Sequence, residues 1–321
     1  MTDGSGHWAG HDLVVVSRSC ATPQVVVFEL ASSDGTRLPG WEPGAHIDLM
    51  LGPGLVRQYS LCGDPADSWR WRIAVQLEDA GRGGSRLVHD KLTVGASVLA
   101  RGPRNAFPLR PAARYQFIAG GIGITPIVPM LAAAQASGSP WQLVYGGRTR
   151  SSMAFAAELT ARYPGRVTLV PQDEGGLLDL DALLGQPGAG THVYCCGPAP
   201  LIAAVESRCA AWPAGTLHVE RFVPRELEPC SGPASFEVML ARSGLTLVVP
   251  REASILTTIE AAGVFVLSSC TEGTCGTCET TVLAGIPEHL DSVLTDAEQA
   301  SCDVMMICVS RSLTPGLVLD L

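Results

Sequence analysis

Lysine is nearly absent from this chain. Lys91 stands alone, and the other 21 of its 22 basic residues are arginine. Against 31 acidic residues those bases leave a formal charge of −9, which argues against a nucleic-acid binder working through a broad basic surface. No run approaches the roughly 18 apolar residues that a membrane-spanning helix needs, so no membrane association is expected. The opening MTDGSGHWAGHD has neither the basic segment nor the apolar core of an export signal, and a cytoplasmic location is expected. In that reducing compartment eleven cysteines point to metal ligands or free thiols rather than disulfides. Seven histidines are scattered without ligand spacing, and His46, in PGAHIDL, suits a structural role in a strand. No Ser/His/Asp set and no carboxylate pair stands out, so hydrolytic chemistry is not expected. A monomer is expected.

What is present is concentrated near the C-terminus. From residue 233 onward there are eleven Asp and Glu against three Arg, a net of −8, while the remainder is nearly neutral. Such a surface is either merely solvating or a docking face for a basic partner. Within this acidic part SSCTEGTCGTCE places Cys270, Cys275 and Cys278 inside nine positions, and Cys308 follows after 29 intervening residues. A structural zinc site ordinarily shows two short cysteine pairs, and only one is present. Cys-x4-Cys-x2-Cys with a distant fourth cysteine is the plant-type [2Fe–2S] spacing. Gly273 and Gly276 let the loop wrap tightly and aim backbone N–H groups at sulfur. Cys302 falls outside the spacing. FEVMLARSGLTLVVP predicts two strands around a turn at Ser243-Gly244, and SILTTIEAAG a helix capped by Ser254. TDAE, Thr295 to Glu298, predicts a capping box on a second short helix. The set is similar to the β-grasp fold of plant-type ferredoxins.

Such a cluster takes one electron at a time and needs a donor. RYQFIAGGIGITPIVPMLAAAQASG predicts a strand, a loop of Gly120, Gly121 and Gly123, and a helix with Thr125 as N-cap and Pro126 as first residue. Loops of this kind seat a pyrophosphate on a helix N-terminus. WQLVYGGRTR and THVYCCGPAPLIAAVESRCAAW extend the strand–helix alternation, implying a parallel sheet with ligands at the strand C-terminal ends. A nicotinamide delivers two electrons together and the cluster accepts one, so a flavin is expected between them. The first hundred residues, with strands such as DLVVVSR, QVVVFELAS, AHIDLMLG and RWRIAVQLE, predict a small antiparallel barrel. RQYSL lies at the end of one strand, and GRGGS opens a helix predicted to start at Ser85, a second phosphate seat.

In that order the motifs resemble the phthalate dioxygenase reductase family, the FMN-, NADH- and [2Fe–2S]-containing reductases of Rieske-type oxygenases. The resemblance runs end to end. It implies a multidomain fold: an antiparallel β-barrel flavin domain over 1–110 and an α/β parallel-sheet nucleotide domain over 111–224. A linker over 225–232 and a C-terminal β-grasp ferredoxin-like domain over 233–321 complete it. It implies that Arg57, Tyr59 and Ser60 contact FMN and that Arg82, Gly83, Gly84 and Ser85 hold its phosphate. Gly120, Gly121, Gly123, Thr125 and Arg148 would bind the dinucleotide, with Cys196, Gly197 and Pro198 beside the nicotinamide. Cys196, Thr125 and Phe222 are the residues implied at the reacting centre, and Cys270, Cys275, Cys278 and Cys308 the cluster ligands. The chain departs from the pattern after Arg148, where relatives often carry an acidic residue or Asn; here GGRTRSSMAF has Arg148 and Arg150 and no carboxylate nearby, so NADPH is possible beside NADH. The implied activity is delivery of electrons from NAD(P)H to a terminal oxygenase. The alternatives are a reductase for a heme monooxygenase and a non-enzymatic iron–sulfur redox-sensing or interaction module.

Overall fold

In a computed structural model of the chain, residues 10–52, 55–78, 83–224 and 231–321 are described. Arg82 and most of the expected linker, 225–230, therefore lie outside the described residues. Two compact units are present, Met1–Phe222 and Val223–Leu321.

The first unit opens with β1 (Gly10–Thr22), β2 (Val25–Ser32), β3 (His46–Gly52), β4 (Leu55–Ser60), β5 (Trp71–Gln76), α1 (Gly84–Lys91) and β6 (Ser97–Arg104). The six strands form one antiparallel sheet in the order β4-β3-β6-β1-β2-β5. A bridge between Leu61 and Ile73 joins its two edges, closing the barrel and removing the exposed edges an open sheet would leave. The run VVVF in β2 does not alternate in polarity because both of its faces are covered. Val26, Phe28 and Leu30 fill the barrel with Leu13, Ile47, Leu49, Trp71 and Ile73, while Val25 and Val27 point outward into a second core. Each such buried side chain contributes about 1.5–3 kcal/mol. His46 opens β3 as a buried residue.

That second core belongs to the following segment. It contains β7 (Arg114–Gly120), α2 (Ile124–Ser137), β8 (Trp141–Gly147), α3 (Ala156–Arg162), β9 (Val167–Pro171), α4 (Gln172–Gly175), α5 (Leu180–Leu184), β10 (Thr191–Cys196), α6 (Ala199–Cys209) and β11 (Leu217–Glu220). All five strands are parallel, in the order β11-β10-β7-β8-β9. The chain leaves β7 towards β8 and β9, then returns to the other side of β7 through β10. The carboxyl ends of β7 and β10 thus flank a topological switch point, where open α/β sheets bind ligands. Phe117, Tyr115, Trp141, Tyr145 and Tyr194 share a core with Val25, Val27, Cys62 and Ala74 of the barrel, so barrel and parallel sheet form one body.

Two helix starts differ from expectation. Helix α2 begins at Ile124 with Gly123 at its cap; Thr125 lies inside the first turn, and its hydroxyl donates to the Ile122 carbonyl at 3.0 Å. A three-residue 3₁₀ turn over Gly121–Gly123 leads directly into the helix, which removes the extended residue that a threonine cap requires. Helix α1 begins at Gly84, capped by Gly83 at φ 82°, one residue before the expected Ser85.

The second unit comprises β12 (Phe236–Leu240), β13 (Leu245–Val249), α7 (Ile255–Ala261), β14 (Glu279–Ala284), β15 (Pro287–Glu288), α8 (Asp296–Ser301), β16 (Val304–Met306), β17 (Arg311–Ser312) and β18 (Gly316–Leu319). Its main sheet runs β13-β12-β18-β14-β16, with β18 parallel to β12 and antiparallel to β14. Ser254 caps α7 and Thr295 caps α8, each in a two-way capping box. Gly244 turns the β12–β13 hairpin at φ 67°. No described helix is long and apolar enough to cross a membrane.

Candidate functional site

The switch point of the first unit is built on glycines that face one another. A Cβ on Gly123 would stand 2.3 Å from the Cys196 carbonyl oxygen and 2.6 Å from the Gly197 nitrogen. One on Gly120 would stand 2.7 Å from Pro198 Cδ, and one on Gly197 3.0 Å from Gly120 Cα. Only hydrogen fits between the loop after β7 and the loop after β10, so the two loops hold each other in place. Gly121 has φ 54° and open space where a side chain would be, a conformation costly to other residues. Tyr145 of β8 supports this loop from below, its hydroxyl donating to the Gly121 carbonyl at 3.1 Å and also reaching the Ala154 carbonyl at 3.2 Å. Helix α2 has no side-chain cap and no acid in its first turn, so nothing there opposes an anion at the loop, although the Ile124 N–H is itself bonded to the Gly121 and Ile122 carbonyls.

Cys196, at the end of β10, is buried, and burial pushes its thiol pKa well up. It is therefore a neutral S–H donor, not a thiolate nucleophile. Its hydrogen points to Glu220 Oε2 at 4.0 Å. Glu220 ends β11 in direct register with Cys196, and burial of its carboxyl raises its pKa from 4.5 to about 8. Glu220 is not among the residues the motifs imply; only the strand pairing with Cys196 gives it a place at the site. Next to it Arg221 is buried and paired with Glu206 at 2.5 Å, while Phe222 presents an exposed ring.

On the barrel, Arg57 and Tyr59 lie on β4 and Ser60, buried, ends it. A Cβ on Gly84 would stand 2.6 Å from Arg57 Nε, so the guanidinium lies across the first turn of α1. That turn has no acidic residue and no side-chain cap. Ser85 Oγ accepts from the Glu78 backbone N–H at 3.0 Å. Burial pushes the Tyr59 hydroxyl pKa up despite Arg57, so it remains a neutral donor. A cation, two glycines and a helix start without an acidic residue in one place fit a flavin phosphate. Arg148 follows β8, and its carbonyl accepts from the Asp173 N–H at 3.2 Å.

The second unit brings the four expected cysteines together. The Cys270 thiol contacts those of Cys275 and Cys308, and Cys308 also contacts Cys278. Glu272 N and Thr274 N donate to Cys270 Sγ at 3.3 and 3.4 Å, and Thr277 N to Cys275 Sγ at 3.4 Å. Gly273 and Gly276 make this wrap possible at φ 68° and 73°. A Cβ on Gly273 would stand 2.6 Å from Val309 Cγ2. Among the described residues no group of His, Cys, Asp and Glu is set around a single metal ion. Four thiols in a chain of contacts instead fit a two-iron cluster, whose ligands divide between two metals. Cys302 is turned away, its Sγ donating to the Gln299 carbonyl at 3.4 Å.

Comparison with known proteins agrees with this layout. Residues 117–207 match the family described as oxidoreductase NAD-binding domain, and 238–313 the 2Fe-2S iron-sulfur cluster binding domain. Phenoxybenzoate dioxygenase subunit beta of Ectopseudomonas oleovorans is 44% identical over 299 residues, covering 92% of this chain and 93% of its own. The solved structure of a phthalate dioxygenase reductase, described as a modular structure for electron transfer from pyridine nucleotides to [2Fe–2S], is 36% identical with a TM-score of 0.71 over 98% of both chains. An intact type IV self-sufficient cytochrome P450 monooxygenase is 42% identical with a TM-score of 0.91; the match covers 97% of this chain and 41% of that one.

Proposed function

Because the chain belongs to the phthalate dioxygenase reductase family, we propose that it delivers electrons from NADH to a Rieske-type terminal oxygenase through the residues gathered at its two sites. The protein is an NAD(P)H-dependent oxidoreductase, the reductase component of an oxygenase system, with FMN and a [2Fe–2S] cluster. The observation that carries the reading is the interlock of the Gly120–Gly123 loop with Cys196 and Gly197 at the switch point, in the same body as the barrel and upstream of the three-cysteine loop and Cys308.

Bound flavin supplies the conversion between a hydride and single electrons. The chain's own residues bind and orient. The Gly120–Gly123 loop and the first turn of α2 receive the pyrophosphate, and Tyr145 fixes that loop's height. Arg57 and the first turn of α1 receive the flavin phosphate, with Tyr59 and Ser60 beside it. Burial holds the protons on Cys196 and Glu220 at neutral pH, so neither adds a negative charge that would trap the cationic ring of the oxidised coenzyme. Phe222, exposed at the end of the first unit, supplies an aromatic face. Cys270, Cys275, Cys278 and Cys308 hold the cluster, and the N–H groups of Glu272, Thr274 and Thr277 stabilise charge on its sulfurs.

Anaerobic titration with NADH tests the assignment: flavin absorbance bleaches first and cluster absorbance second. A preparation with both chromophores intact that neither NADH nor NADPH reduces ends it. A heme monooxygenase partner is the second reading, favoured by the 42% identity to a self-sufficient P450. Stopped-flow electron transfer to a purified Rieske oxygenase and, separately, to a P450 heme domain distinguishes the two.

A further inference from the structure

Neither arginine after β8 has a carboxylate near it in sequence; the fold supplies one. Arg150 is gripped in a two-bond fork by Glu174, 24 residues away: Nε to Oε1 at 3.0 Å and Nη2 to Oε2 at 2.6 Å. Glu174 lies in the first turn of α4, directly after β9. Its neighbour Asp173 gives its backbone N–H to the Arg148 carbonyl. The ends of β8 and β9 are thus tied at two points, with Arg148, Arg150, Asp173 and Glu174 in one rim. These strands lie on the side of β7 away from β10. A dinucleotide with its pyrophosphate on the β7–α2 loop and its nicotinamide beside Cys196 runs its adenosine half the other way, over this rim. The hydroxyls there are engaged locally: Thr149 Oγ1 with Ser151 Oγ at 3.0 Å, and Ser152 Oγ with the Thr149 carbonyl at 2.8 Å.

We infer that the Arg150–Glu174 pair selects the coenzyme: Glu174 offers a carboxylate to the adenosine ribose 2′-hydroxyl and keeps Arg150 from a 2′-phosphate, so the enzyme prefers NADH. The inference rests on the dinucleotide position proposed above. Two arginines and two acids leave the rim without net charge. A phosphate monoester brings about −1.5 to −2 of its own and meets two carboxylates, with one guanidinium already taken. Hydrogen bonding from Arg150 holds the Glu174 carboxyl below its ordinary range, so it is ionised at neutral pH. The pair is open to solvent, with side chains 56% and 50% exposed. One substitution can therefore release the arginine without unsettling a core.

The test measures ferricyanide reduction by the full-length holoprotein, with kcat and KM for NADH and NADPH at fixed ionic strength. The wild type is expected to favour NADH in kcat/KM by about tenfold or more, since each tenfold needs only about 1.4 kcal/mol. Glu174→Gln should improve NADPH about tenfold through KM, with kcat nearly constant, and should tighten inhibition by adenosine 2′,5′-bisphosphate. Combining it with Arg150→Gln should erase that gain, because the gain passes through the freed guanidinium. Unchanged flavin and cluster absorbance verifies that the variants are folded. Equal use of NADPH by the wild type, an unchanged ratio in Glu174→Gln, or a gain that survives in the double variant each overturn the inference. Failure of both coenzymes with the wild type overturns the reductase reading itself.

Discussion

Substituting Gly123 by alanine probes the interlock at the switch point most directly. The added Cβ meets the Cys196 carbonyl oxygen at 2.3 Å, where ordinary contact starts near 3.4 Å. The atoms it meets are backbone, and they belong to the end of β10, which is fixed by parallel pairing on both sides. The loops must therefore part by about 1.1 Å, or the helix α2 start must shift by as much. A misplacement of about 1 Å between reacting groups costs roughly 10²-fold in rate, so anaerobic flavin reduction by NADH should slow about a hundredfold in stopped flow. Overpacking of this kind also costs about 1–3 kcal/mol, a fall of roughly 2–12 °C in the melting of the first unit. Gly121→Ala is the control. It stands two residues away in the same loop, with φ 54° and nothing within 4 Å of the added atom. It costs about 1–2 kcal/mol for the left-handed backbone yet leaves the loops together, and at saturating NADH, where crowding of the pyrophosphate by the new methyl shows in KM instead, it should keep the rate within about fivefold. If Gly121→Ala is as slow as Gly123→Ala, or Gly123→Ala reduces flavin at the wild-type rate, the close approach is not what positions the coenzyme.

Three further outcomes follow from the same geometry. Cys308→Ser should lose the cluster absorbance while keeping flavin and ferricyanide activity, since the fourth thiol lies in a different unit from the barrel; a normal cluster spectrum would make Cys302 the ligand despite its turn towards Gln299. Glu220→Gln should remove a step near pH 8 from the rate of flavin reduction. Because the folded pKa of Glu220 is raised from 4.5 to about 8, its contribution to stability is complete below about pH 4.5 and is lost as pH rises through 8. Wild-type melting should therefore fall across that window relative to Glu220→Gln. Glu272→Gln with Glu279→Gln should slow electron delivery to the oxygenase at low salt and lose its effect at about 0.15 M, where the screening length is near 8 Å; a rate indifferent to salt and to the pair removes the docking role from this edge.

Much of this was legible because its cause is local. The box at Thr295 and Glu298, the cap at Ser254 and the turn at Gly244 each depend on residues a few positions apart. The cysteine spacing is set by one loop plus a single distant partner. Thr125 misled because a threonine before a proline looks like a helix start, while the 3₁₀ turn over Gly121–Gly123 had already begun the helix. Glu220 and Glu174 were not legible at all. Each gains its meaning from a partner 24 residues away, a strand neighbour, Cys196, in one case and the turn at Arg150 in the other, and an exposed or half-buried glutamate carries no mark of that pairing. The unbroken apolar run of β2 was readable as a strand, but its two-sided burial follows only from the parallel sheet packed against the barrel.

The position of β18 bears on when the iron can be received. This strand, Gly316–Leu319, lies in the middle of its sheet, between β12 and β14, and it is made after every strand it pairs with. During synthesis the Cys270–Cys278 loop emerges while Cys308 and the central strand have yet to be added. Iron offered at that moment meets three thiols on an unsupported loop, open to oxidation or to capture by the wrong metal. Barrel and parallel sheet face no such delay, since all of their strands precede residue 222 and domains fold in order as they emerge. Biogenesis should therefore pass through a species already competent for flavin but lacking iron. In cells starved of iron–sulfur donors, that species is the form expected to accumulate, able to oxidise NADH and pass its electrons only to adventitious acceptors such as oxygen.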